Sequence, residues 1–147
     1  MKNILIILLA FTVCSVSAQI SFNTGSVQLD TDLNTINARA SVDFDSFKGD
    51  LSVSYNISEK KIEYMRGSLN MAPGEVYLAL EIARLSNKPI DEIIIIYKSD
   101  KSKGWGYIAK KAGIKPGSTE FHQLKNNAGS KKKKAQDKGQ AKGKNKK

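Results

Sequence analysis

The residue types able to carry chemistry are few and widely spaced. His122 is the only histidine and Cys14 the only cysteine among 147 residues. No second imidazole can complete a metal site with His122, and no cluster of histidine and acids falls at ligand spacing. Glu120 and His122 stand two apart, which points them in different directions on a helix. His122 is therefore a candidate ligand contact, able to sense pH or meet an anion. The alternative is that it caps or packs the last helix, against Trp105. Trp105 between Gly104 and Gly106 is the second candidate contact. The flanking glycines would let a ligand approach the backbone, or let a core tryptophan enter a helix sharply. Gly104-Trp-Gly lacks both the Walker spacing and the dinucleotide-binding pattern.

General acid–base catalysis would need paired carboxylates in a cleft. Glu75 with Glu81, or Asp91 with Glu92, are the pairs on offer. Helix caps and solvated stripes explain them more simply. The reading is a protein that is not an enzyme, with no catalytic residue, cofactor or metal.

The strongest chemical signal is cationic. Residues 19–125 carry 14 Lys+Arg against 13 Asp+Glu, whereas residues 126–147 carry nine lysines against one aspartate. The nine are Lys131, Lys132, Lys133, Lys134, Lys138, Lys142, Lys144, Lys146 and Lys147. Flexible cations at this density bind polyanions by releasing condensed counterions. Candidate partners are anionic lipid headgroups, lipopolysaccharide, other anionic envelope polymers and extracellular nucleic acid. No aromatic residue lies in the segment to stack on bases, so nucleic-acid contact would be unspecific. The segment holds no large apolar side chain, and the expectation is a disordered basic tail over 126–147.

At the other end, Lys2, the apolar run Ile4 to Val13 and Val16-Ser-Ala18 follow the order of a secretory signal. The run is short for a membrane span. Cleavage near Ala18 would deliver a periplasmic or extracellular product and discard Cys14. Folding would then rest on packing without disulfides.

Between these ends the apolar spacing predicts an all-α fold, a single small domain of about five or six short helices over 29–125, preceded by a loose segment over 19–28. Pro73 to Leu85 is apolar on nearly all sides, with only Glu81 and Arg84 interrupting on one stripe, which marks a central helix. Pro89 to Lys98 holds four consecutive isoleucines. Strand propensity argues for a hairpin with Trp105 to Ala109, whereas Pro89, Asp91 and Glu92 argue for a helix start. Trp105, Ile108, Ala109 and Ala112 line one face of a further helix that Gly113 and Pro116 stop. Gly117-Ser118 caps a last helix with Phe121 and Leu124. Upstream, Ser58 caps Glu59 to Arg66. Ser46 to Tyr55, where Leu51-Ser-Val-Ser-Tyr55 also alternates like a strand, and a segment carrying Leu29, Leu33, Ile36 and Ala40 complete the set.

Ile108-Ala-x-x-Ala112-Gly-Ile114 resembles the joint of a helix-turn-helix. It supports an alternative reading, a nucleic-acid-binding module built on that hairpin and the tail. The Lys-Pro-Gly insertion lengthens the turn, and helix-hairpin packing is the simpler account.

The strings Gly104-Trp-Gly-Tyr-Ile-Ala-Lys110, Gly113-Ile-Lys-Pro-Gly-Ser118 and Glu120-Phe-His-Gln-Leu-Lys125 resemble the signature of a family of small exported bacterial proteins with no assigned activity. The resemblance covers about Phe47 to Lys125, and Ala112 is smaller than the aliphatic residue the pattern carries. It implies a helix at Ile93 to Tyr97 and an exported product. The combined expectation is an exported, non-catalytic binding or structural module of the cell envelope. Its body would be free to meet a protein partner, and its tail would contact anionic surfaces.

Overall fold

Pro73 opens the helix that organises the molecule. The computed structural model describes residues 19–143, with the side chains of 135, 136 and 138–143 left aside. The expected signal segment with Cys14, and Lys144, Lys146 and Lys147, lie outside the described residues. Seven helices and no strand occur among the described residues: α1 (Val27–Val42), α2 (Phe44–Tyr55), α3 (Glu59–Gly67), α4 (Pro73–Ser86), α5 (Ile90–Asp100), α6 (Trp105–Lys111) and α7 (Thr119–Gly143). The all-α class holds, with one or two more helices than the spacing predicts.

α4 buries Val76, Tyr77, Leu78, Ala79, Leu80, Ile82 and Ala83. Ala72 has no side chain able to cap it, so Glu75 supplies the polar closure by accepting the Ala72 N–H at 2.8 Å. α1, α2, α3, α5 and α7 all pack on α4, and α1 also packs along α7. α5 settles the run of isoleucines as a helix. Ile93, Ile94, Ile96 and Tyr97 face inward, Ile95 is left outside, and Pro89 stands at the N-cap. Burial on two flanks satisfies a helix as well as a strand, and the acidic first turn decides between them.

The segment expected to be loose, 19–28, is pinned. Phe22 is fully buried, the Ile20 N–H reaches Asn34 Oδ1 at 3.0 Å, and Thr24 Oγ1 donates to Asp30 at 2.7 Å. The Trp105 and Gly106 N–H groups donate to the carbonyls of Phe22 and Asn23, each at 2.9 Å. The strap, residues 19–26, is invisible to periodicity because it is neither helix nor strand, and its two bonds to α6 come from residues some 80 positions away in sequence.

This strap explains the two glycines around Trp105. Gly104 has φ +84°, and a Cβ on Gly106 would lie 2.8 Å from the Thr24 carbonyl oxygen and 3.0 Å from that of Asn23. Gly106→Ala is expected to destabilise the fold by about 1–3 kcal/mol, because the clash is with backbone. Gly49→Ala, inside α2 with open space around the new methyl, is expected to stabilise by about 0.5–1 kcal/mol. Thermal melting of the two variants checks both signs.

Candidate functional site

The basic segment begins inside a helix. Ser118 Oγ accepts the Phe121 N–H at 3.2 Å and starts α7, which buries Phe121, Leu124 and Ala128. α7 then continues through Asn126, the expected boundary of the tail, without a break. Asn127 Nδ2 donates to Glu81 Oε2 at 2.9 Å. Lys132 forms an ion pair with Asp32 of α1, whose carboxylate also accepts from Gln28 at 3.0 Å. Lys131 stands 5.3 Å from the centre of the Phe47 ring. Residues 126–132, at the start of the expected tail, are helical and packed on the body. An alanine, an asparagine and a lysine with buried acidic partners do the docking, where a hydropathy reading looks for large apolar side chains.

The run of lysines accordingly divides. Lys131 and Lys132 turn toward the body, and Lys133 and Lys134 are exposed. Lys138 and Lys142 fall where the backbone alone is described, and remain helical.

Glu81 is the polar centre beneath α7. It was expected on a solvated stripe with Arg84, yet it is buried. It accepts from the Tyr55 hydroxyl at 2.5 Å, from Arg84 Nη2 at 3.0 Å and from Asn127. Three donors from three helices replace its hydration, which is the condition for burying a carboxylate. Burial, with Tyr77 and the Glu81 carboxylate beside it, pushes the Tyr55 hydroxyl well above its ordinary range. Glu75, its partner in the catalytic alternative, is occupied by Ala72 and by the Trp105 indole. Asp91 pairs with Lys61 and Glu92 with Lys88.

The two candidate ligand contacts do not come together. Trp105 is 3% exposed, stacked on Tyr97 with ring centres 5.3 Å apart, and its indole N–H donates to Glu75 Oε1 at 3.0 Å. Its face and its polar edge are both taken by the core. His122 is exposed on α7. α7 takes its packing from α1 and α4, so the helix-turn-helix-like joint is a connection rather than a packed pair. An open cleft of about 600 Å³ lies between the end of α2 and the α4–α5 junction, lined by Tyr55, Arg84, Asn87 and Lys88 among others. Neither Trp105 nor His122 lines it.

A second cationic locus is built on α5 and α6. Asp100 is buried at the end of α5 and is held by Lys103 at 2.9 Å, by Lys111 at 2.6 Å and by the Ser99 hydroxyl at 2.9 Å. Lys111, Lys103 and Ser99 hold its carboxyl well below the usual carboxylate range. A depressed pKa contributes stability that is complete above the unfolded value and is lost as pH falls through the folded one. The melting temperature is expected to drop on acidification below about pH 4, and Asp100→Asn is expected to remove part of that drop. An unchanged acid profile in the variant would contradict this.

Among the described residues no group of three or more His, Cys, Asp or Glu can hold a metal ion, and no helix is long and apolar enough to cross a membrane. Comparison with protein-family models, with curated proteins and with solved structures returned no match.

Proposed function

We propose that the chain is an exported, non-catalytic helical module of the cell envelope, and that its C-terminal lysines contact anionic surfaces or polymers there. The observation that supports this best is the division of the lysine run. Lys132 fixes the helix to the body, and Lys133 and Lys134 continue outward from that fixed point. A cation-rich segment anchored at one end is presented by the body. Near an anionic membrane each lysine contributes about 1 kcal/mol, within a Debye length.

The test uses the chain from Gln19 to Lys147 with Lys133, Lys134, Lys138, Lys142, Lys144, Lys146 and Lys147 changed to Gln. Lys131 and Lys132 are retained to keep α7 docked. Binding to vesicles of mixed anionic and neutral lipid is measured across a salt series. Loss of affinity together with a shallower salt slope is the expected result. Equal affinity and equal slope in the two proteins would defeat the reading.

A further inference from the structure

The near-neutral average of the body conceals a strong polarity. Residues 19–63 carry four Lys+Arg against seven Asp+Glu. Residues 98–115 carry six lysines against Asp100 alone. Asp100 is buried, and its charge is already met by Lys103 and Lys111. Lys98, Lys101, Lys110 and Lys115 are exposed and enter none of the ion pairs among the described residues.

These charges are held in place by the fold. The 3₁₀ turn Lys101–Lys103 joins α5 to α6, and the Asp100 carboxylate ties that turn to Lys111 near the end of α6. Tyr107 is 41% exposed, and Lys103 Nζ sits 4.5 Å from its ring centre. Tyr107, Lys110 and Lys111 share one face of α6 by their spacing. On α5, Ile95 is 66% exposed and stands one turn before Lys98. An isoleucine, a half-exposed tyrosine and five of the six lysines therefore lie on the adjoining α5, 3₁₀ turn and α6, with Lys115 in the loop that follows.

We infer that this α5–α6 corner is a second docking surface, and that its partner is an anionic phospholipid membrane surface. The inference rests on the proposed envelope role and adds to it a folded contact that does not use the tail. Charge complementarity calls for a dense array of phosphates. The apolar content selects among arrays: a headgroup layer offers an amphipathic zone for Tyr107 and an apolar phase below it for Ile95, while lysine stems extend along that boundary with their ammonium groups outside. A phosphodiester polymer gives Ile95 no such phase. The corner is also separate from the cleft, which opens at the other end of α5.

The experiment uses the Gln19–Lys147 chain in which the seven outer tail lysines are already Gln. Binding is measured to vesicles of phosphatidylglycerol in phosphatidylcholine, to pure phosphatidylcholine vesicles and to duplex DNA. Residual affinity for the anionic vesicles is expected, and Lys101→Gln with Lys110→Gln is expected to lower it by about thirty-fold, at roughly tenfold per 1.4 kcal/mol. Ile95→Ser is expected to weaken vesicle binding and leave any DNA binding unchanged. Thermal melting confirms that each variant is folded, since none of the three side chains is buried. The inference is overturned if the lysine pair leaves vesicle affinity unchanged, or if duplex DNA is bound as well as anionic vesicles and responds equally to the substitutions. Failure of the tail reading has a different signature, namely no loss when the seven outer lysines are neutralised.

Discussion

Trp105→Ala is expected to lower the stability of the fold by about 3–5 kcal/mol, the range for removing a large aromatic from a packed core. The side chain is 3% exposed, and two separate contacts are lost with it. Tyr97 loses the ring stacked on it and Glu75 loses the indole N–H, while the backbone bond from the Trp105 N–H to the Phe22 carbonyl is retained. Trp105→Phe retains a ring against Tyr97 and gives up only the N–H donor, so a loss of about 1–2 kcal/mol is expected. Urea unfolding followed by far-ultraviolet circular dichroism measures both. A second readout is independent of stability. Burial, with the Glu75 carboxylate beside it, pushes the Tyr97 hydroxyl up to about 12. In Trp105→Ala that hydroxyl is expected to titrate closer to the ordinary value of about 10. A stability change below about 0.5 kcal/mol would show that Trp105 is not part of the core.

Lys132→Ala carries the second large effect. It leaves the Asp32 carboxylate, 3% exposed as a side chain, with the Gln28 amide still donating to it. Removing one member of a buried pair is strongly destabilising, by about 3–5 kcal/mol in dry interiors. Lys132 is itself a quarter exposed, so the lower end, about 3 kcal/mol, is expected here. Limited digestion with a non-specific protease is expected to gain a cut between Asn126 and Lys134 as that part of α7 loosens. The double variant Asp32→Leu with Lys132→Leu should recover most of the loss, because an apolar pair has no charge to desolvate. Lys133→Ala is the matched control, one position along on the exposed side. If it is as damaging as Lys132→Ala, the ion pair is not what docks α7.

The parts of the fold that announce themselves in the sequence are those with local signals. Pro73, Pro89, Ser58 and Ser118 mark helix starts through properties of single residues, and α4 shows itself by apolar residues on every side. The strap over 19–26 has no such signal. Ile20 and Phe22 are two apolar residues in a polar stretch, and the strap's backbone partners Trp105 and Gly106 arrive only from far along the chain. Glu81 reads as a solvated interruption because two of its three donors, Tyr55 on α2 and Asn127 on α7, cannot be foreseen from spacing. The docking of Asn127, Ala128 and Lys132 is hidden for the opposite reason. Composition averages over a segment, and the lysines around these residues dominate the average. The cationic corner at 98–115 was lost to the same averaging, applied to the whole body.

The pairing of α1 with α7 also sets an order of assembly. Asp32 and Lys132 are 100 residues apart, whereas α2 with α3, α4 with α5 and α5 with α6 are neighbours along the chain. Closing so long a loop is entropically unfavourable until the intervening helices have drawn together, so the first and last helices meet late. Contacts made after the rate-limiting barrier affect escape from the native state more than arrival at it. Substitutions at Asp32 or Lys132 should therefore quicken unfolding and leave the refolding rate almost untouched, which makes the α1–α7 seam the part of the molecule that governs how long it stays folded.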